Sequence, residues 1–226
     1  MTTAMSTRRI VSPMLGAGCR RPWRQLPTPT DRRSARRWAR YVLTPGTAVI
    51  LDTETTDLDG EIVEICVIDA CTEQVLLSTL VNPRGPISPA ASAVHGITAA
   101  DVVDAPSWSQ VLPLLIEAVG DRQILAYSAH FDRERVLAAS YSIGAAPTPL
   151  NRYERWECVM RARSAWLGID RWLPLGGPHR ALGDAGLTRD LLIKMSHHAP
   201  RRWLQTLRDR IHLTTPRPTP TRRTLT

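Results

Sequence analysis

Lysine is almost missing from this sequence of 226 residues: Lys194 is the only one, and the rest of the 29 Lys and Arg residues are arginine. So one-sided a usage fits a GC-rich genome as well as it fits any function. Phenylalanine is equally scarce, with Phe131 alone, and aromatic residues make up 5% of the chain. The four cysteines, Cys19, Cys66, Cys71 and Cys158, form no C-x-x-C pair and no Cys/His cluster. That spacing speaks against a disulfide scaffold and a structural zinc site, and for reduced thiols in a cytoplasmic protein. Apolar runs are short as well; none approaches the roughly 20 residues that a membrane helix needs. Arg8-Arg9 and the apolar stretch up to Cys19 have the outline of a twin-arginine or lipoprotein signal. Pro13 breaks that stretch and Gly16 stands where a lipobox requires leucine, so no secretion signal is expected.

What is present is a globular composition, 43% hydrophobic and 22% charged, with a net charge of +8. The charge is unevenly spread. Residues 1–46 carry ten arginines against one acid, Asp31, and residues 196–226 carry seven against one, Asp209. Between them, 47–195 holds twelve basic residues and nineteen acids. An acidic domain therefore lies between two basic arms. Arms of this kind either contact nucleic acid or serve as solvated tails.

The first 29 residues are rich in Thr, Pro, Gly and Arg without periodicity, and disorder is expected there. A helix is expected at 30–43, with Thr30 or Asp31 as its cap and Trp38 and Val42 on one side. Strands follow at 48–54, 61–70 and 74–82, joined by turns at 57–60 and 70–72. In the second, apolar residues occupy both faces, as in a sheet covered on each side. Thr98 to Asp101 reads as a capping box opening a short helix. Helical spacing marks 108–119, 132–142, a stretch within 152–168, and 182–197, with a short buried strand at 124–127. A last helix is expected near 200–213, ahead of a Thr/Pro/Arg tail that cannot pack. Three antiparallel strands followed by alternating helices and strands give an α/β fold with a mixed central sheet flanked by helices.

Several carboxylates occupy telling places. Asp52 and Glu54 stand two apart at the end of the first strand, on one face. Side by side they repel each other, an arrangement that favours a cation between them. Asp132 follows a strand directly and opens a helix, where the dipole welcomes an acid. His179 and Asp184 lie in the run Gly177 to Ala185, with the histidine at the mouth of a helix and the aspartate about one turn in. The apolar neighbours Ala181, Leu182 and Ala185 imply partial burial, and a buried aspartate needs a partner.

In order and spacing, these motifs resemble the DEDDh-type 3′→5′ exonuclease family, which includes the proofreading (epsilon) subunit of bacterial DNA polymerase III and RNase T. The likeness runs through Asp52–Leu58, His95-Gly96-Ile97-Thr98 with Ala105-Pro106, Ala129–Asp132 and His179–Ala185, about 47–195 in all. It implies a ribonuclease H-like exonuclease domain over 47–198. A basic, largely disordered arm would precede it at 1–46, and a basic helix and tail would follow at 199–226. By resemblance, Asp52, Glu54, Asp132 and Asp184 bind two divalent ions, Mg²⁺ or Mn²⁺, which favour hard oxygen ligands. Two such ions suit phosphodiester hydrolysis, activating water and stabilising the leaving oxygen. His179 would be the general base, a role that suits histidine. Thr55, His95 and Ile97 would approach the terminal nucleotide, with Ile97 packing on a base; a capped loop-to-helix junction explains 95–98 equally well.

Two departures stand out. Many members have His-Asn where this chain has Tyr127-Ser128, so the substrate contact at Ser128 keeps a hydroxyl and loses an amide fork. Many have Gly after the paired threonines, where Asp57 stands here. The short segment from Ala165 to His179 is expected to leave the mouth open. The expected activity is 3′→5′ exonucleolytic release of nucleoside 5′-monophosphates from single-stranded DNA. The rivals are an exoribonuclease and a catalytically vestigial nucleic-acid-binding adaptor. The expected partners are nucleic acid, DNA before RNA, and a DNA polymerase or another replication or repair chain; no membrane contact is expected.

Overall fold

The computed structural model describes residues 28–197. Segments 1–27 and 198–226, which include the helix expected near 200–213, lie outside the described residues. The folded chain begins with α1 (Arg32–Val42), continues through β1 (Ala48–Thr55), β2 (Ile62–Asp69) and β3 (Val75–Leu80), and then runs into helices α2 (Pro89–His95), α3 (Ala99–Val102) and α4 (Trp108–Val119). It goes on with β4 (Gln123–Ala126), α5 (Ala129–Ser142), β5 (Trp156–Cys158), α6 (Val159–Leu167) and α7 (Ala181–Ser196). The sheet order is β3-β2-β1-β4-β5. β1 pairs antiparallel with β2 and parallel with β4, β3 is antiparallel to β2, and β5 is parallel to β4. The mixed sheet expected from the sequence is present.

Period-two geometry splits the core into two layers. Ile50, Cys66, Ile68 and Leu125 face α1, α6 and α7, where Trp38, Trp166, Leu192 and Met195 cover them. Val49, Leu51, Ile65, Val67 and Ile124 face the other way, onto Val111 and Leu115 of α4 and Val136 of α5. The same alternation carries Asp52 and Glu54 to the α7 side of β1 and Thr53 to the α5 side.

The turns follow from their residues. Asp57 to Gly60 closes the β1–β2 hairpin, with the Gly60 amide donating to the Asp57 carbonyl at 2.9 Å. At the next turn the Asp69 carboxylate accepts from the Cys71 and Thr72 amides, an Asx turn. Two elements are absent from the sequence expectation. The strand β5 has three residues, too few to show alternation, and it falls within the stretch read as helix-bearing. The helix α2 is marked by Ser88 as cap, Pro89 in the first turn and Gly96 at φ 75° after the end. The helix α5 starts at Ala129, three residues before the expected Asp132.

The helix expected at 30–43 forms, but it is no loose part of an arm. Asp31 and Ser34 form a reciprocal capping box. Ala35, Trp38, Ala39 and Val42 then bury the face that meets α6 and α7. Two of its arginines are turned to packing as well: Arg32 Nε donates to the Trp166 carbonyl, and Arg40 Nε to that of Ser196. These are the last turns of α6 and α7, where orphan carbonyls and the helix dipole favour a cation. The packed unit thus starts at α1 rather than at 47. No helix among the described residues is long and apolar enough to cross a membrane. Trp38→Ala is expected to lower unfolding stability by about 3–5 kcal/mol in urea titrations, as for other buried tryptophans; a loss under 1 kcal/mol would place α1 outside the cooperative unit.

Candidate active site

The acids converge where the C-terminal end of β1 meets α5 and α7. On β1, Asp52 lies opposite Cys66 and Glu54 opposite Glu64 of β2. Asp184 occupies the first turn of α7 and is 7% exposed. Asp132, in the first turn of α5, is 3% exposed. Its carboxylate accepts from both the amide (3.1 Å) and the hydroxyl (2.9 Å) of Thr53, the residue between Asp52 and Glu54. The strand thus presents its two acids to one side and uses the intervening threonine to fix the third from the other.

Burial and mutual repulsion hold these groups toward the protonated form. Burial, with the charges of Asp132, Glu54, Asp184 and Glu64, raises Asp52 well above the usual carboxylate range. Glu54 is pushed up to about 7 by burial and by Asp184 and Glu64. Asp132 is raised by burial to about 7 against the opposing Thr53 bonds. Burial raises Asp184 too, while the charge and the backbone amide of His179 pull it back. Cys66, pushed up to about 12 chiefly by burial, stays a neutral thiol beside Asp52.

Glu54, His179 and Asp184 offer ligand atoms that all lie within 4.8 Å of one another. Asp52 and Asp132 stand outside that trio, Asp52 within its electrostatic field and Asp132 tied to Thr53. One oxygen of Asp184, Oδ1, is buried without a hydrogen-bond partner. Oxygen donors that repel one another, an orphaned buried acceptor and an imidazole at the rim fit a hard divalent cation. Gly177 packs so close to this carboxylate that a Cβ there would overlap Asp184 Oδ1.

His179 is exposed and sits in the left-handed region at φ 52°. The loop that carries it is tied down upstream. The Tyr127 hydroxyl donates to the Leu173 carbonyl. Arg163 Nη1 donates to the Tyr127 hydroxyl (2.7 Å) and to the Pro174 carbonyl (3.0 Å). Tyr127, one of the departures from the family pattern, thereby anchors the segment leading to His179.

A fifth acid belongs to the cluster and was not among the sequence candidates. Glu64 accepts from the Arg180 guanidinium, at 2.8 Å from Nη2, and from the Ala181 amide at 2.9 Å. It therefore caps the start of α7 and pairs with Arg180, between His179 and Asp184 in the chain. The signal was the strand register, which a single strand's pattern does not disclose.

Of the expected substrate contacts, three are internal. Thr55 is 7% exposed, and its hydroxyl donates to the Asp57 carbonyl. His95 Nδ1 accepts from the Ile97 amide at 3.0 Å, which leaves the ring proton on Nε2 to donate to the Thr55 carbonyl at 3.1 Å. Ile97 is 2% exposed and packs with Val63 and Val102, so its side chain offers no surface to a base. The segment 95–98 works as a brace between β1 and α3. Ser128 differs: it is half-buried, precedes α5 and faces a cavity.

A mixed sheet of this order, with acids gathered at the end of its central strand and helices on both faces, is the ribonuclease H-like exonuclease fold. Residues 49–215 match the family model described as exonuclease, RNase T, and the chain belongs to that family. Exodeoxyribonuclease 10 of Escherichia coli K12 is 37% identical over 161 residues, spanning 64% of this chain. The chain spans 66% of that relative's length. The DNA polymerase III epsilon subunit of Aquifex aeolicus is 30% identical over 175 residues, which cover 68% of this chain and 82% of that protein. Among solved structures, E. coli exonuclease I in complex with an oligonucleotide matches with a TM-score of 0.53 at 18% identity, covering 72% of this chain and 42% of that one.

Two outcomes test the electrostatics. Groups whose folded pKa is raised contribute stability that is complete below the unfolded value near 4 and is lost as pH climbs through about 7. A bound divalent ion needs these groups ionised, so the Mn²⁺-induced rise in Tm is expected to be small at pH 5.5 and several degrees larger at pH 8. A shift independent of pH would rule the cluster out as the binding site. Gly177→Ala is expected to displace the Asp184 carboxylate and weaken Mn²⁺ binding about tenfold or more in calorimetric titrations, the scale on which disturbed ligand support acts. Wild-type affinity would show that the close approach of Gly177 is immaterial.

Proposed function

We propose that the chain is a divalent-cation-dependent exonuclease that removes nucleoside 5′-monophosphates from the 3′ end of single-stranded DNA. The observation that carries this reading is the Glu54–His179–Asp184 trio, backed by Asp52 and Asp132. The name of the E. coli relative, an exodeoxyribonuclease, supports DNA over RNA. Relatives named a DNA polymerase III epsilon subunit and a PolC-type DNA polymerase III support a DNA polymerase as a partner.

Asp52, Glu54, Asp132 and Asp184 would hold the cations, Mg²⁺ or Mn²⁺ and two per site. Bound there, they would supply a more acidic water and a positive field for the reacting phosphate. Thr53 keeps the Asp132 carboxylate in place from the far side of β1, so that it need not reorganise when substrate arrives. His179, exposed at the rim, takes the proton of the attacking water on a ring nitrogen and hands it to solvent. The Glu64–Arg180 pair fixes the start of α7 and hence the spacing between this base and Asp184. Ser128 presents a hydroxyl to the strand where it enters α5's first turn.

Purified protein with Mg²⁺ and 5′-labelled single strands is expected to give a ladder of shortening products, abolished by EDTA and by Asp184→Ala. His179→Ala is expected to lower kcat by about 10²–10⁴-fold, the usual worth of a general base. A matched RNA strand is expected to be cut more slowly. Faster cutting of RNA would make the protein an exoribonuclease, and binding without shortening under any divalent ion would leave only the adaptor reading.

A further inference from the structure

Beside the acid cluster, at the C-terminal ends of β4 and β5, a cavity of about 550 Å³ opens between α5 and α6. The crevice beyond the carboxyl ends of parallel strands is where open α/β sheets place ligands. Glu157, of β5, lines it. This residue is 9% exposed, and its carboxylate oxygens open onto the cavity rather than being sealed in the core. Burial pushes it up to about 7, against only the opposing charge of Arg161 four residues on. A carboxylate so placed is available to a ligand that brings donors to it.

The walls say which donors. Tyr153 is 62% exposed and Trp172 71% exposed, large aromatic faces that the core does not use. The Tyr153 ring is held by the Arg133 guanidinium, 5.4 Å from its centroid, which also donates to the Asn151 carbonyl. The Trp156 ring is fixed by its indole N–H on the Leu150 carbonyl at 2.8 Å. Arg161 supplies an exposed cation at the rim. Aromatic faces for stacking beside cations for the backbone are what single-stranded nucleic acid requires. Above about pH 7 the ionised Glu157 carboxylate at the floor only accepts, and it adds selectivity because it pairs with an exocyclic amino group such as cytosine N4.

We propose that this cavity is a nucleobase subsite for the strand upstream of its reacting end, in which Glu157 accepts from the amino group of the base. It rests on the reading that the strand ends at the acid cluster, which Ser128 joins to the cavity. Bases with an amino group, cytosine among them, are thereby favoured over thymine, whose Watson–Crick edge brings a single N–H.

The full chain is tested with 5′-dye-labelled dC12 and dT12 in EDTA, by fluorescence anisotropy at fixed salt and at pH 8.5, where Glu157 is ionised. Both are pyrimidine strands with little self-structure. The wild type is expected to bind dC12 about tenfold more tightly, the scale of one base-edge contact. The near-isosteric Glu157→Gln is expected to bring that ratio to about 2 or less, and Trp172→Ala to weaken both strands about fivefold or more. An unchanged melting temperature and an unchanged Mn²⁺-induced Tm shift establish that each variant is folded with its acid cluster intact. Equal wild-type affinity for the two strands overturns the proposal, as does a preference that survives Glu157→Gln. Because the assay contains no metal, its outcome is separate from that of the cleavage ladder. A base preference without shortening would keep the subsite and discard the exonuclease; shortening with no preference would do the reverse.

Discussion

Five carboxylates, Asp52, Glu54, Glu64, Asp132 and Asp184, are held at one end of the sheet against both desolvation and one another, and the architecture around them is organised by that repulsion. Three of them are answered, each by a different element. Thr53 reaches through β1 to Asp132, Arg180 and the α7 N-terminus take Glu64, and His179 stands beside Asp184. What is left unanswered is the Asp184 Oδ1 atom with Asp52 and Glu54 near it. Since these partners belong to β1, α5 and α7, the site exists only while both apolar layers dock those helices on the sheet. Burying this much like charge is tolerable where ionisation is coupled to cation uptake, because the ion then replaces the lost hydration.

Much of this was legible in the residues. Alternation fixed the first two strands and put Asp52 and Glu54 on one face, and the helical spacing at 108–119 matched α4 to the residue. What escaped has physical reasons. Glu64 looks like one polar residue in an apolar strand; its place opposite Glu54 comes from the register of β2 on β1, set by long-range pairing. The Thr53–Asp132 bond spans 79 residues of sequence, beyond any local pattern. β5 is too short to declare a period. His95 was legible as a residue type but not in its use, since a histidine facing a ligand and one bracing Thr55 and Ile97 read alike until both ring nitrogens have partners.

The departure at Tyr127 has a structural use in this chain. A tyrosine at this position reaches farther than a histidine, and its hydroxyl meets Leu173 and Arg163. The segment between α6 and α7 is thereby fixed by three groups, Tyr127, Arg163 and Ser164, the last donating to the Arg171 carbonyl at 2.7 Å. His179 follows that anchored stretch in a left-handed backbone conformation. A residue held in a sparsely populated region persists where its surroundings over-determine it. Here the surroundings are the anchored loop before it and the Glu64–Arg180 pair after it.

The charge imbalance of the chain also takes a different meaning. The arginines of α1 that cap α6 and α7 are engaged in packing, so an excess of basic residues near the N-terminus is not by itself a measure of nucleic-acid affinity. At the acid cluster, the half-exposed Arg180 pairs with Glu64, and Arg161 faces solvent at the cavity rim. An anionic strand approaching the cluster therefore meets attraction at Arg161 and the α5–α6 side and repulsion at Glu54 and Asp184. On the proposed reading, such a field would orient a strand before any bond is at stake, backbone over the rim and end toward the acids. It also ties the last step of approach to cation binding, because only a charge placed among Asp52, Glu54 and Asp184 reverses the sign that the phosphate meets.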